Sequence, residues 1–243
     1  MQLLQTHLLP LTCLLTLASA HFELLQPPPR GTNFDKITEY PCGGLPVSSK
    51  RTEVPLDDPE LNIAMKMGHD HSAVQVLLAL GSDPGRNFNI TLVPTFGQMG
   101  LGDFCISDVE LTEAKLGTRL TEGLEATLQV VTNGDPTGGL YSCADIVFTA
   151  RASDDDDPSD DSCRNGTGVT ARPFPESAAG INANQSKPNG EPQSGGSGGG
   201  GSGGNGGKSG GQGGEKPGSA AASLQTAAWG ILAAVVLAVG ALL

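Results

Sequence analysis

Residues 140–150, Leu140-Tyr141-Ser142-Cys143-Ala144-Asp145-Ile146-Val147-Phe148-Thr149-Ala150, put Ala144, Ile146 and Phe148 on one side of an extended chain. Tyr141, Cys143, Asp145 and Val147 fall on the other. A period of two is the signature of a strand whose faces meet different surroundings. The same alternation occurs upstream at Leu61, Ile63, Met65 and Met67, at Phe88, Ile90 and Leu92, and at Ala126, Leu128 and Val130, with a denser apolar run over 74–80. Asp-Pro-Gly at 83–85, Asn-Gly-Asp-Pro at 133–136 and Gly-Gly at 138–139 punctuate these runs as turns. The pattern predicts an all-β protein, an antiparallel β-sandwich. Residues 111–124 are ambiguous, and no segment sustains a helical period.

Outward from this region the chain changes character twice. Residues 1–20 hold an apolar run over 8–17 and end in Ala18-Ser19-Ala20, the small-residue pattern of a signal peptide cleavage site. Cleavage there makes His21 the first residue of the mature chain. At the other end, 227–243 is an uncharged apolar tail preceded by Gly218-Ser219-Ala220-Ala221-Ala222-Ser223 and a short spacer. This is the layout of a GPI attachment signal, with Gly218 or Ser219 as the attachment residue and 218–243 removed. The domain is expected over 21–165 and a disordered Gly/Ser-rich linker over 166–217, too polar to bury a core and suited to lifting the domain off a membrane. The sequence therefore points to the extracellular face of the plasma membrane, or the cell wall.

Charge and cysteines agree with export. A formal net charge of -12 excludes an electrostatic nucleic-acid binder. Cys13 leaves with the leader, and Cys42, Cys105, Cys143 and Cys163 remain as two expected disulfides, with three pairings open. None forms a CxxC pair. Asn89, Asn165 and Asn184 begin glycosylation sequons.

The mature chain keeps three histidines, His21, His69 and His71. A histidine at a free N-terminus offers an α-amino nitrogen and an imidazole nitrogen to one metal. A second imidazole, from His69 or His71, would complete a three-nitrogen plane, the tetragonal set that suits Cu(II).

The order of several short motifs carries a family resemblance: Ala20-His21-Phe22, Pro29-Arg30-Gly31, Pro41-Cys42-Gly43-Gly44, the His69 loop before Val74-Gln75-Val76, Gly100-Leu101-Gly102-Asp103-Phe104-Cys105, and Tyr141-Ser142-Cys143-Ala144-Asp145. Over about residues 21–150 the chain resembles the fungal Bim-type copper acquisition factors, which are similar in fold to lytic polysaccharide monooxygenases. The resemblance implies an immunoglobulin-like sandwich holding copper in a histidine brace. It implies His21 as the N-terminal ligand, His69 as the second, with His71 as the alternative, and Asp145 as the carboxylate ligand; Asp103 reads as structural. A carboxylate occupying an open position argues for holding copper rather than activating oxygen. The expected function is copper acquisition or delivery at the cell surface without catalysis, with copper and a membrane copper transporter as partners. A cell-wall or glycan-associated role is the alternative, and a copper polysaccharide monooxygenase stands third. Against the enzyme, the mature chain lacks tryptophan, since Trp229 lies in the removable tail, and has only Tyr40 and Tyr141 as tyrosines.

Overall fold

The computed structural model describes residues 21–134, 136–151 and 163–194. The leader, the acidic run, the Gly/Ser-rich tract and the apolar tail lie outside these residues. No helix among the described residues is long and apolar enough to cross a membrane.

The predicted strands form. They are β1 (Phe22–Gln26), β2 (Thr52–Pro55), β3 (Glu60–Met67), β4 (His71–Leu80), β5 (Ile90–Met99), β6 (Gly102–Glu110), β7 (Glu125–Asn133), β8 (Gly139–Thr149) and β9 (Thr170–Pro173). One sheet, A, has the order β1-β3-β6; the other, B, has the order β2-β8-β7-β4-β5-β9. The sandwich is antiparallel except that β2 runs parallel to β8.

Strand alternation sorts the side chains as the sequence suggested. Phe22, Leu24, Ile63, Met65 and Phe104 from sheet A meet Val74, Val76, Leu78, Leu128, Ile146 and Phe148 from sheet B in one buried core. Burying each such side chain contributes about 1.5–3 kcal/mol, so two facing rows are enough to hold the layers together. The ambiguous stretch resolves into a short helix α1 (Glu113–Leu116). Thr112 caps it by accepting a hydrogen bond from the Lys115 backbone N–H, and Gly117 ends it in the left-handed conformation.

Two disulfides join Cys42 to Cys143 and Cys105 to Cys163, which settles the pairing. The first pins the segment between β1 and β2 onto the outer face of β8; the second ties the chain after β8 to β6.

The folded chain also runs past the expected boundary at 165. β9 pairs with β5, from Phe96↔Pro173 to Met99↔Thr170. Beyond it, the 3-10 turn Ala183–Gln185 packs on sheet B. Ala183 and Ser186 are fully buried there, and Ala183 joins Ala73, Val131 and Tyr141 in a second apolar cluster on the outer face of sheet B. The Gln75 side chain donates to Asn182 Oδ1 and accepts from the Ala183 N–H. Residues 166–194 therefore belong to the domain rather than to a linker.

Candidate metal centre

The pairing of β1 with β3 brings the His21 backbone alongside the residue that precedes His69. Phe22 lies opposite Met67, and the ladder continues one step further: the Gly68 N–H donates to the His21 carbonyl at 2.9 Å. His69 follows Gly68 directly, in the turn carrying the chain from β3 in sheet A to β4 in sheet B. His21 and His69 are both half-buried. The His21 ring rests at a tilt against Phe34, centroids 5.2 Å apart. Phe34, 44 % exposed, is a neighbour that sequence reasoning missed. It sits in an irregular segment with no periodicity to announce it.

His71 leaves in another direction. Val74, Val76 and Leu78 face the core, so the alternate positions His71, Ala73 and Gln75 line the outer face of sheet B. In β1, Phe22 and Leu24 face the core, so strand alternation puts His21 with Glu23 on the outer face of sheet A. The two outer faces look away from each other. His69 follows directly on the Gly68–His21 hydrogen bond, whereas His71 begins β4 on the outer face of sheet B. The Nδ1 atom of His71 lies 3.3 Å from Oδ1 of Asp70.

Asp145 is not brought to these histidines. It pairs opposite Thr127, which pairs opposite Ala79. Ala79 lies eight residues along β4 from His71, about 26 Å at strand rise. The carboxylate also faces the outer side of sheet B and is enclosed, with its side chain 0 % exposed. Oδ1 accepts from Arg30 Nη2 at 2.8 Å and Thr127 Oγ1 at 2.7 Å; Oδ2 accepts from Arg30 Nε and the Ser48 N–H, each at 2.8 Å. Arg51 Nη1 stands 3.9 Å from Oδ1. Burial alone would raise its pKa. Hydrogen bonds from Arg30, Thr127 and Ser48, with the guanidinium charge, more than offset this and hold the carboxyl below its ordinary value. All of its acceptor capacity is used, so the structure assigns Asp145 a structural role in place of the ligand role inferred from the resemblance.

Asp103 lies exposed on β6 opposite Lys66, and its carbonyl accepts from the Gly166 N–H. Among the described residues, no three His, Cys, Asp or Glu side chains gather as a metal site. The donors that remain at the His21 end are one nitrogen from His69 and up to two from His21, if its α-amino group is free. That nitrogen-only set fits copper better than calcium, magnesium or a four-thiolate metal.

Comparison with known sequences bears on the same stretch. The sequence model of the family described as copper acquisition factor BIM1-like matches residues 19–168. The chain belongs to that family. Among its relatives, an uncharacterized protein of Aspergillus fumigatus is 55% identical over 226 residues, covering 91% of this chain and 92% of the relative. The lytic polysaccharide monooxygenase-like protein X325 of Yarrowia lipolytica is 28% identical over 195 residues, covering 77% of this chain and 70% of the relative. The lytic polysaccharide monooxygenase-like protein ham-7 of Neurospora crassa is 31% identical over 152 residues, covering 54% and 65%. The BIM1-like family and these names support a copper-related role for the chain.

The sequons differ in access. Asn89 and Asn165 are exposed. Asn184 sits in the turn packed on sheet B, its side-chain amide donating to the Tyr141 hydroxyl at 3.1 Å, with Ser186 fully buried. The folded domain thus opposes a glycan at that third position.

Proposed function

We propose that this protein holds copper at the cell surface through its N-terminus, acquiring or delivering the ion without turning it over. The reading is supported by the β1–β3 register, in which the His21 carbonyl accepts from the N–H of Gly68, the residue before His69. Removal of residues 1–20 would free the α-amino group of His21. That nitrogen, the His21 imidazole and the His69 imidazole would then bind Cu(II) in a tetragonal plane. A GPI anchor at Gly218 or Ser219 would place the domain outside the plasma membrane, where a copper transporter could receive the ion.

Holding rather than catalysis is favoured by the surface around the histidines. Tyr141 is buried, and one face of the Tyr40 ring is covered by the Arg86 guanidinium at 4.5 Å. Phe34, against the His21 ring, is an exposed aromatic ring, a single one where a stacking platform uses several. A polysaccharide-cleaving monooxygenase, the reading that the relatives' names suggest, would need a broader stacking platform. Electron paramagnetic resonance of the Cu(II)-loaded mature protein tests the donor set. We expect an axial, nitrogen-rich spectrum lost in His21→Ala and His69→Ala and retained in His71→Ala, with little oxygen reduction by the same sample. Loss in His71→Ala with retention in His69→Ala would reverse the ligand choice. Rapid ascorbate-driven oxygen consumption with cleavage of a polysaccharide would favour the enzyme.

A further inference from the structure

His71, set aside by the brace, has a partner of its own. In the antiparallel β4–β5 pairing, His71 lies directly opposite Met99. Residues so placed share a face of the sheet, with Cβ atoms about 4.5–5.5 Å apart. Both line a surface cleft of about 420 Å³ on the outer side of sheet B, walled by Arg172, Phe174 and Lys187. Met99 is partly exposed, whereas Met65 and Met67 are 0% and 3% exposed in the core. A thioether in a water-accessible cleft contributes little to stability there, but it is a soft metal donor.

The histidine is oriented as a ligand would be. With Nδ1 3.3 Å from the Asp70 carboxylate, Nε2 is the ring nitrogen on the side away from it. A carboxylate behind a histidine is the usual support for a metal-binding imidazole. The charges around the cleft are mixed, with the Asp70 carboxylate beside His71. Lys187 is paired with Glu191 at 3.2 Å, and Arg172 lines the cleft as an exposed cation, so the choice of metal falls to the donor atoms.

We propose that His71 and Met99 form a soft-metal site for a monovalent cation of the Cu(I) type, oriented by Asp70 and separate from the His21–His69 pair. The thioether favours Cu(I) over the divalent ions, and the imidazole accepts copper without choosing its charge. Two protein donors leave coordination positions open to an incoming ligand, as a transfer site requires. The site needs neither a free N-terminus nor His21, so it can be tested with the brace disabled.

The experiment uses the protein carrying one additional residue before His21, titrated with Ag(I) as a redox-inert stand-in for Cu(I), with methionine methyl groups labelled for NMR. We expect one methionine methyl resonance to shift at one equivalent, together with a histidine ring resonance. Met99→Leu keeps the volume. It should abolish the methyl shift, and His71→Ala should weaken Ag(I) binding by well over tenfold; Asp70→Asn should weaken it about tenfold. Zn(II) should leave the methyl unmoved. The proposal is overturned if no methyl shifts, if Met99 shifts equally in His71→Ala, or if Zn(II) moves it as Ag(I) does.

Discussion

Replacing Asp145 with asparagine separates a structural carboxylate from a metal ligand more sharply than any other single change. The native group accepts four hydrogen bonds at 2.7–2.8 Å, two of them from one guanidinium. Side-chain exposure is 6% for Arg30 and 0% for Asp145, so solvent screens the pair little. The amide introduced by Asp145→Asn would turn an N–H₂ group toward donors on Arg30 or Ser48 and leave the Arg30 charge buried without its counter-ion. Breaking such a pair from one side costs about 3–5 kcal/mol. That is a large part of the 5–15 kcal/mol that typically separates folded from unfolded domains. Urea unfolding of wild type and Asp145→Asn, disulfides intact, should show stability falling by that amount. Cu(II) titration of the folded variant at low temperature should give an affinity within about threefold of wild type, since the carboxylate lies far from His21 and His69. A variant as stable as wild type that had lost copper affinity would refute the reasoning and restore Asp145 as a ligand.

The depressed pKa of the same group sets an acid limit. A carboxyl lower in the folded than in the unfolded state contributes its stability above the unfolded value, about 3.9, and loses it as pH falls through the folded value. Acid unfolding followed by circular dichroism should therefore be less steep in Asp145→Asn than in wild type below about pH 4. Removing the Cys42–Cys143 bridge by Cys42→Ser with Cys143→Ser should lower stability by about 4–5 kcal/mol on the chain-entropy estimate, because the two cysteines are 101 residues apart. Urea midpoints check this. Ending the domain at residue 165 should strip β9 and the cover over Val131 and Tyr141, lowering stability by at least about 2 kcal/mol and adding dye-binding apolar surface, whereas ending it at 194 should change neither.

Much of the fold was legible because the strands alternate cleanly. Val74, Val76 and Leu78, or Ala144, Ile146 and Phe148, declare their inner face without reference to any partner. That the domain runs past 165 is hidden from the sequence for a physical reason. Residues 166–194 are rich in Gly, Asn, Pro and Ser, and they dock through a few small buried groups and amide hydrogen bonds instead of an apolar stripe. Asp145 shows the limit of reading a face. Alternation placed it away from Ile146, but what covers that side comes from Arg30, 115 residues away, and Ser48, 97 away, which no local pattern announces. The same holds for disulfide pairing, which spacing left three ways open. At the candidate site, the three histidines were visible as residues. Their division between two outer faces became visible only once the β1–β3 and β4–β5 registers were known.

The central claim, that copper is held by the N-terminal histidine, is tested most directly by comparing two proteins in one Cu(II) titration. One begins at His21; the other carries a single additional residue before it. We expect a tight one-to-one site in the first and a loss of affinity in the second nearly as large as that of His21→Ala, because both remove a nitrogen donor from the same plane. Equal affinity in the two proteins would contradict the brace.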